Sequence, residues 1–116
     1  MTLKRIEAVF YRTPAGREVV REWIRALPKR DRKAIGDDLR RLEFRWPVGM
    51  PLSRPLGGGL HELRCRLPSE RIARLIFFLS IDTELVVLHG FIKKTQATPA
   101  GDLNLARSRK LEYEEN

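Results

Sequence analysis

The stretch Leu85-Val-Val-Leu-His-Gly-Phe-Ile-Lys-Lys-Thr95 constrains this chain more than any other. Six of its first eight residues are apolar, several of them β-branched or aromatic. That composition suits a strand buried on both faces. It leaves the core through Lys93, Lys94, Thr95 and Gln96, so it carries charged and hydrogen-bonding groups to a sheet edge on a rigid support. A buried strand needs neighbours, and the preceding residues supply them. Residues 60–67 alternate, with Leu63, Cys65 and Leu67 on one face and Glu62, Arg64 and Arg66 on the other. Pro68-Ser69-Glu70 reads as a turn, and residues 71–79 as the next strand, with Arg74 among Ile72, Ile76 and Phe78. Residues 80–83 read as a second turn. Three strands joined by short turns predict an antiparallel meander.

The flanking segments read as helices and one more strand. Residues 3–11 form an apolar first strand. Thr13-Pro14 has the form of an N-cap followed by a first helical residue. Val19, Val20, Trp23, Ile24 and Leu27 then make one helical stripe that Pro28 ends. A second helix spans about residues 29–45, with Ile35, Leu39, Leu42 and Trp46 on its apolar side. Its other side carries Arg30, Arg32, Lys33, Arg40 and Arg41 against Asp31, Asp37 and Asp38, either a solvated face or one that meets phosphates. Residues 46–59, with three prolines and four glycines, read as irregular. Gly57-Gly58-Gly59 is a turn and not a phosphate cradle, because no Lys-Ser/Thr and no helix follow. Thr98-Pro99 repeats the helix-start signal before a last helix through Leu103, Ala106, Lys110 and Tyr113. The predicted class is α+β, one domain over residues 1–116. An N-terminal strand, a two-helix hairpin and a three-stranded antiparallel meander complete a twisted sheet, followed by a C-terminal helix.

Charge narrows the partner. A net charge of +8 on 116 residues favours nucleic acid, an anionic membrane or an acidic protein. Cys65 is the only cysteine and lies on the apolar parity of its strand, so it reads as a small buried hydrophobe. No Cys/His spacing suits zinc, and no metal or cofactor is expected. Lys4, Arg5 and Glu7 interrupt the first eleven residues, unlike a signal peptide. No apolar run approaches the roughly 20 residues of a membrane span. The expectation is a soluble cytoplasmic protein without a membrane partner.

The loop lengths imply a register. A three-residue loop pairs Leu67 with Arg71 and sets Arg64 opposite Arg74. A four-residue loop pairs Leu79 with Glu84, which sets Arg74 opposite His89, with Lys93 on the same face and Lys94 on the other. Like charges facing each other on a sheet are destabilising. Gathering Arg64, Arg66, Arg74, His89 and Lys93 on one face therefore points to an anionic ligand, unless the long side chains snorkel apart. No Ser/His/Asp or Cys/His triad is apparent. Cleavage of RNA by its own 2′-hydroxyl needs a proton acceptor, charge stabilisation at phosphate and a proton for the leaving 5′-oxygen. Arginine suits the second task, and a lysine with a lowered pKa suits the first. His89 either titrates near neutrality or is structural.

At this point the order of elements and the words match a known family. Gly58-Gly59-Leu60-His61-Glu62-Leu63-Arg64, then Arg71-Ile72-Ala73-Arg74, then Leu88-His89-Gly90-Phe91-Ile92-Lys93-Lys94-Thr95 resemble the RelE/ParE toxin superfamily, in its HigB-like phage-derived branch. The resemblance covers nearly the whole chain. It implies the toxin of a type II toxin–antitoxin pair, a metal-independent, ribosome-dependent mRNA endonuclease that blocks translation. Matching positions assign catalysis to Arg64, Arg74 and Lys93 and RNA contacts to Arg66, His89, Lys94 and Gln96; His61 receives no role. The implied partners are mRNA on the ribosome and an adjacently encoded antitoxin, commonly of helix-turn-helix type. The antitoxin would cover Arg64, Arg74 and Lys93 with an acidic or amphipathic segment. Two alternatives stay open: a non-enzymatic DNA gyrase inhibitor of the ParE type, and an inactive basic RNA-binding module.

Overall fold

A computed structural model describes residues 3–80 and 83–115. The elements follow as β1 (Glu7–Phe10), α1 (Val19–Arg25), α2 (Lys29–Arg45), β2 (Ser53–Gly57), β3 (Leu60–Arg66), β4 (Ile72–Leu79), β5 (Glu84–Ile92) and α3 (Ala100–Glu115). The strands form one sheet in the order β1-β5-β4-β3-β2. β2 through β5 are antiparallel neighbours, and β1 pairs parallel with β5. Each face has its own apolar cluster. α1 and α2 cover Leu63, Cys65, Leu75, Phe77 and Val87 with Val20, Ile35 and Leu42. α3 covers Leu60, Ile76, Phe78, Val86 and Leu88 with Ala106. The central strands are therefore buried on both faces, which explains why β4 is apolar at consecutive positions and not at alternate ones.

Two expected boundaries move, for local reasons. α1 begins at Val19 and not at Thr13-Pro14. Thr13 closes a turn instead: its carbonyl accepts Gly16 N–H at 2.8 Å and its Oγ1 accepts Arg17 N–H at 3.1 Å. Gly16 turns the chain there with φ 87°. Thr98 likewise sends its hydroxyl to Glu62 Oε2 at 2.7 Å. The first turn of α3 closes from Leu103 N–H to Pro99 O at 3.0 Å.

The stretch read as irregular contains a strand. β2 pairs with β3 from Ser53↔Leu63 to Gly57↔Leu60, with an irregularity between Pro55 and Gly57. Pro55 obscures this strand in the sequence, yet a proline is tolerated here because β2 is the sheet's outer strand. Gly58 and Gly59 make the hairpin turn with φ 63° and 83°, the left-handed pair such a two-residue turn requires. The meander therefore has four strands, one more than expected.

The registers decide where the cations go. β3 and β4 pair as expected: Leu67 N–H donates to Arg71 O at 2.9 Å and Arg64 lies opposite Arg74. β4 and β5 do not. Leu79 pairs with Leu85 and not with Glu84. Ile81 and Asp82 of the expected turn lie outside the described residues. Further along, Phe77 pairs with Val87 but Ile76 with His89, so Leu88 is the extra residue of a bulge. Arg74 consequently faces Phe91, and His89 faces Ile76. The two one-residue displacements add, which restores the original parity. Lys93 thus stays on the Arg74 side, as expected, while His89 moves two residues along β4, from Arg74 to Ile76.

Gly90 is a packing requirement of this sheet. A Cβ there would lie 2.8 Å from Trp23 Cζ3 and 2.9 Å from its Cε3. The indole ring of α1 rests directly on the β5 backbone. Gly90→Ala should cost about 1–3 kcal/mol through overpacking. Gly36→Ala, in α2 with nothing within 4 Å of the new methyl, should add about 0.5–1 kcal/mol. Urea unfolding of the two variants checks both signs, and a stable Gly90→Ala protein would remove the close-approach argument.

Two buried carboxylates tie helix α2 to the sheet. Glu43 protects the outer edge of β1: its carbonyl accepts Arg5 N–H at 2.9 Å and its Oε2 accepts Ala8 N–H at 2.8 Å. Asp31 accepts Ser69 N–H at 3.2 Å, the Ser69 hydroxyl at 2.8 Å and Arg71 Nη2 at 3.2 Å, holding the β3–β4 turn against the start of α2.

Candidate functional site

At the end of the sheet where β3, β4 and β5 carry their polar residues, a cleft of about 150 Å³ opens. It is lined by Met50, Pro51, Ser53, Arg54, Glu62, Arg64, Arg74 and Gln96. Each wall has a local cause. Glu62 and Arg64 alternate along β3 with the apolar residues that face α2. Arg74 is opposite Arg64 on β4. Gln96 lies where the chain leaves β5 for α3. Arg54 arrives from β2, opposite Glu62.

Glu62 organises the charges. It is 2% exposed, and its Oε1 lies 3.1 Å from Arg54 Nε and 3.4 Å from Arg74 Nε. Its Oε2 accepts the Thr98 hydroxyl, so the carboxylate also anchors the segment that enters α3. Arg74 is 3% exposed and donates from Nη2 to Gln96 O at 2.9 Å. Its Nε and Nη1 are buried and have no protein hydrogen-bond acceptor among the described residues. Buried donors normally find partners. Burial lowers the Arg74 pKa from the ordinary guanidinium value; Glu62 opposes that shift, and Arg54 and Arg64 add to it.

Lys93 stands at the rim. Its backbone N–H donates to Ile72 O at 2.7 Å, and its Nζ lies 3.5 Å from Gln96 Oε1. Loss of solvent, followed by the nearby Arg64, Arg74 and Arg54, lowers its pKa, with Glu62 opposing. A lysine so placed gives up its proton more readily than a free one.

The structure brings Arg64, Arg74, Lys93 and Gln96 together and separates the other candidates. Lys94 is exposed and lines the neighbouring cleft with Glu70, Arg71 and Lys93. Arg66 is exposed beyond Arg64, toward α2. His89 departs from its expected place opposite Arg74. Its Nε2 is 2.7 Å from Asp102 Oδ1 of α3, and its ring stacks on Phe91. The shifted turn register and the extra residue Leu88 together displaced it. His61 lies on the opposite face, stacked on Phe77 with centroids 5.4 Å apart and edge-on to Trp46. Burial lowers its pKa, which favours the neutral imidazole within this aromatic cluster. Cys65 is fully buried, and burial next to Asp38 pushes its thiol pKa up, away from reactivity.

Arg54, Glu62 and Thr98 were not picked out from the sequence as site residues. Glu62 left a signal, since it shares parity with Arg64 and precedes it by two residues. Arg54 left none, because it lies in a strand hidden by Pro55. Among the described residues no three His, Cys, Asp or Glu side chains come close enough to hold a metal ion, and no helix is long and apolar enough to cross a membrane.

The mixed five-stranded sheet, with a helical hairpin on one face and a C-terminal helix on the other, is a RelE-like toxin architecture. The chain belongs to the family of phage-derived Gp49-like proteins (DUF891), whose family model matches residues 22–111. That family belongs with the toxins of toxin–antitoxin systems, which points to a cognate antitoxin as partner. No curated protein matches the chain.

Proposed function

We propose that this protein is a HigB-like toxin that cleaves mRNA in the ribosome, in the cytoplasm, as a single domain without a metal. The observation that carries this reading is the Arg74 guanidinium, buried in a cleft with Arg54, Arg64 and Glu62, with Nε in an ion pair to Glu62 and Nη1 lacking a protein acceptor among the described residues. An unsatisfied planar donor beside Arg54 and Arg64 is complementary to the non-bridging oxygens of a phosphodiester. Lys93, in the neutral form that its lowered pKa makes more accessible, takes the proton of the ribose 2′-hydroxyl. The 2′-oxygen attacks the adjacent phosphorus, and Arg64 and Arg74 hold the charge that accumulates on the phosphate oxygens. The bond to the 5′-oxygen breaks, leaving a 2′,3′-cyclic phosphate. His89 is committed to Asp102, so the leaving oxygen takes its proton from water. Gln96 positions Lys93, while Arg66 and Lys94 bind phosphates on either side. The antitoxin, encoded adjacently and of helix-turn-helix type, neutralises the toxin by covering the cleft.

The direct test is expression of the chain, followed by mapping of mRNA 5′ ends. New 5′-hydroxyl ends within translated regions are expected. Intact mRNA together with blocked supercoiling would instead favour gyrase inhibition, and intact mRNA with continued growth an inactive RNA-binding module. Co-purification with the neighbouring open reading frame's product tests the antitoxin.

The lysine gives a pH signature. A lowered pKa means that the neutral base becomes available below the usual lysine range, so the cleavage rate should rise with pH through that pKa and then level. Lys93→Arg keeps the charge but removes the base. It should flatten the pH profile and slow cleavage by about 10²–10⁴-fold. A Lys93→Arg protein with the wild-type profile would restrict this lysine to charge stabilisation.

A further inference from the structure

Three clefts share walls at this end of the sheet. The central one meets the Lys93–Lys94 cleft at Gln96. On its other side it shares Met50, Pro51 and Arg64 with a groove bounded by the end of α2. That groove exists because the β2 side of the sheet runs out: its last backbone link to β3 is Arg64 N–H to Leu52 O, at 2.8 Å. The end of β3 continues past it, and the last turns of α2 come alongside.

The groove's lining is chemically specific. Its aliphatic lining comes from Val48, Met50 and Leu52, and Met50 is 73% exposed. Its rim carries Arg41, Arg45, Arg64 and Arg66 against Asp38 alone. Asp38 is spent on Arg41 at 2.8 Å. Arg45 and Arg66 are exposed and make no ion pair among the described residues. A surface selected only for stability would pair these arginines or turn them apart.

We infer that this groove is a second arm of the binding site and holds the single-stranded RNA that continues past the central cleft. The inference rests on the proposed RNA cleavage and extends it to the conformation of the substrate. Arg45 and Arg66 take phosphates, and the thioether and methylenes of Met50 and Leu52 receive the face of an unstacked base. A duplex cannot use the aliphatic lining, because its base faces are stacked and hidden. The Lys94 cleft holds the strand on the other side, so the scissile phosphate lies at the middle of a continuous cationic track.

Fluorescence anisotropy with a labelled mixed-sequence 12-nucleotide RNA, single-stranded and as a duplex, tests this over a range of salt. The purified proteins are wild type, Arg45→Glu/Arg66→Glu, Met50→Ala, and Arg32→Glu as a charge-reversal control away from the groove. The double variant should bind the single strand at least tenfold more weakly, with its salt slope reduced by about 1.4, or about 0.7 for each lost phosphate contact. Met50→Ala should weaken binding a few-fold at an unchanged slope, and wild type should prefer the single strand to the duplex. Unchanged affinity in the double variant, an equal loss in Arg32→Glu, or no binding by wild type overturns the arm. So does a double variant that keeps RNA but releases an acidic protein partner. The two readings fail separately. Wild type that binds through the groove yet produces no 5′ ends in cells sinks the cleavage and keeps the arm; cleavage at wild-type rate by the double variant, with unaltered RNA affinity, sinks the arm alone.

Discussion

Glu62→Ala should lower the unfolding free energy by roughly 3 kcal/mol, the cost of removing one partner from a buried ion pair. The reason is Arg74. With 3% exposure it cannot turn into water, and among the described residues Glu62 is the carboxylate within 4.0 Å of it. The mutation would leave its guanidinium among Arg54 and Arg64 with no counter-charge. The low end of the usual range applies because the other cation, Arg54, is 36% exposed and recovers hydration. The same mutation frees Thr98, whose hydroxyl fastens the segment before α3. Arg54→Ala is the internal comparison, expected to cost no more than about 1 kcal/mol as a half-exposed pair. Urea unfolding at fixed pH measures both. Equal midpoints would show that Arg74 does not depend on Glu62. A phosphate-bearing ligand should partly restore the midpoint of Glu62→Ala, since an anion in the cleft replaces the lost charge.

Arg74→Lys should slow cleavage by about 10²–10³-fold while the protein remains folded. Lysine keeps the positive charge and the ion pair with Glu62, but it is a single ammonium without a planar fork. The native guanidinium spends Nη2 on Gln96 O and sets Nε beside Glu62, which leaves Nη1 without a protein acceptor among the described residues. One ammonium cannot hold that loop and also follow the spreading charge of the transition state. Quantifying 5′-hydroxyl ends in a purified translation system measures the effect, with the unfolding midpoint as the control for folding. A rate within twofold of wild type would remove Arg74 from the chemistry and leave it a structural cation. Arg64, which has no ion-pair partner among the described residues, is better hydrated, so Arg64→Lys should lose less than Arg74→Lys.

The amino-acid sequence by itself determined the plan of the sheet and the parity of its cations. α2 runs over the expected residues, and the Arg64–Arg74 pairing follows from a three-residue turn whose length is explicit in Pro68-Ser69-Glu70. Such features are local: helical period, strand alternation and a short turn are each set by neighbours in the chain. The parity of Lys93 also emerged correctly, but only because a turn one residue longer and a bulge at Leu88 together shift the register by two. Only the tertiary structure decided the rest. His89 belongs to Asp102 because a bulge is stabilised by packing on both faces of β5, which no single-strand pattern encodes. Thr13 and Thr98 resemble helix caps in sequence, yet their hydroxyls take the partners that folding presents, a turn N–H and a distant carboxylate. Arg54 enters the cleft on an outer strand whose proline conceals it, and Glu62 becomes its centre only when β2, β4 and the approach to α3 converge. Charge type is a property of the sequence; which charges share one low-dielectric space is a property of contacts between residues far apart in it.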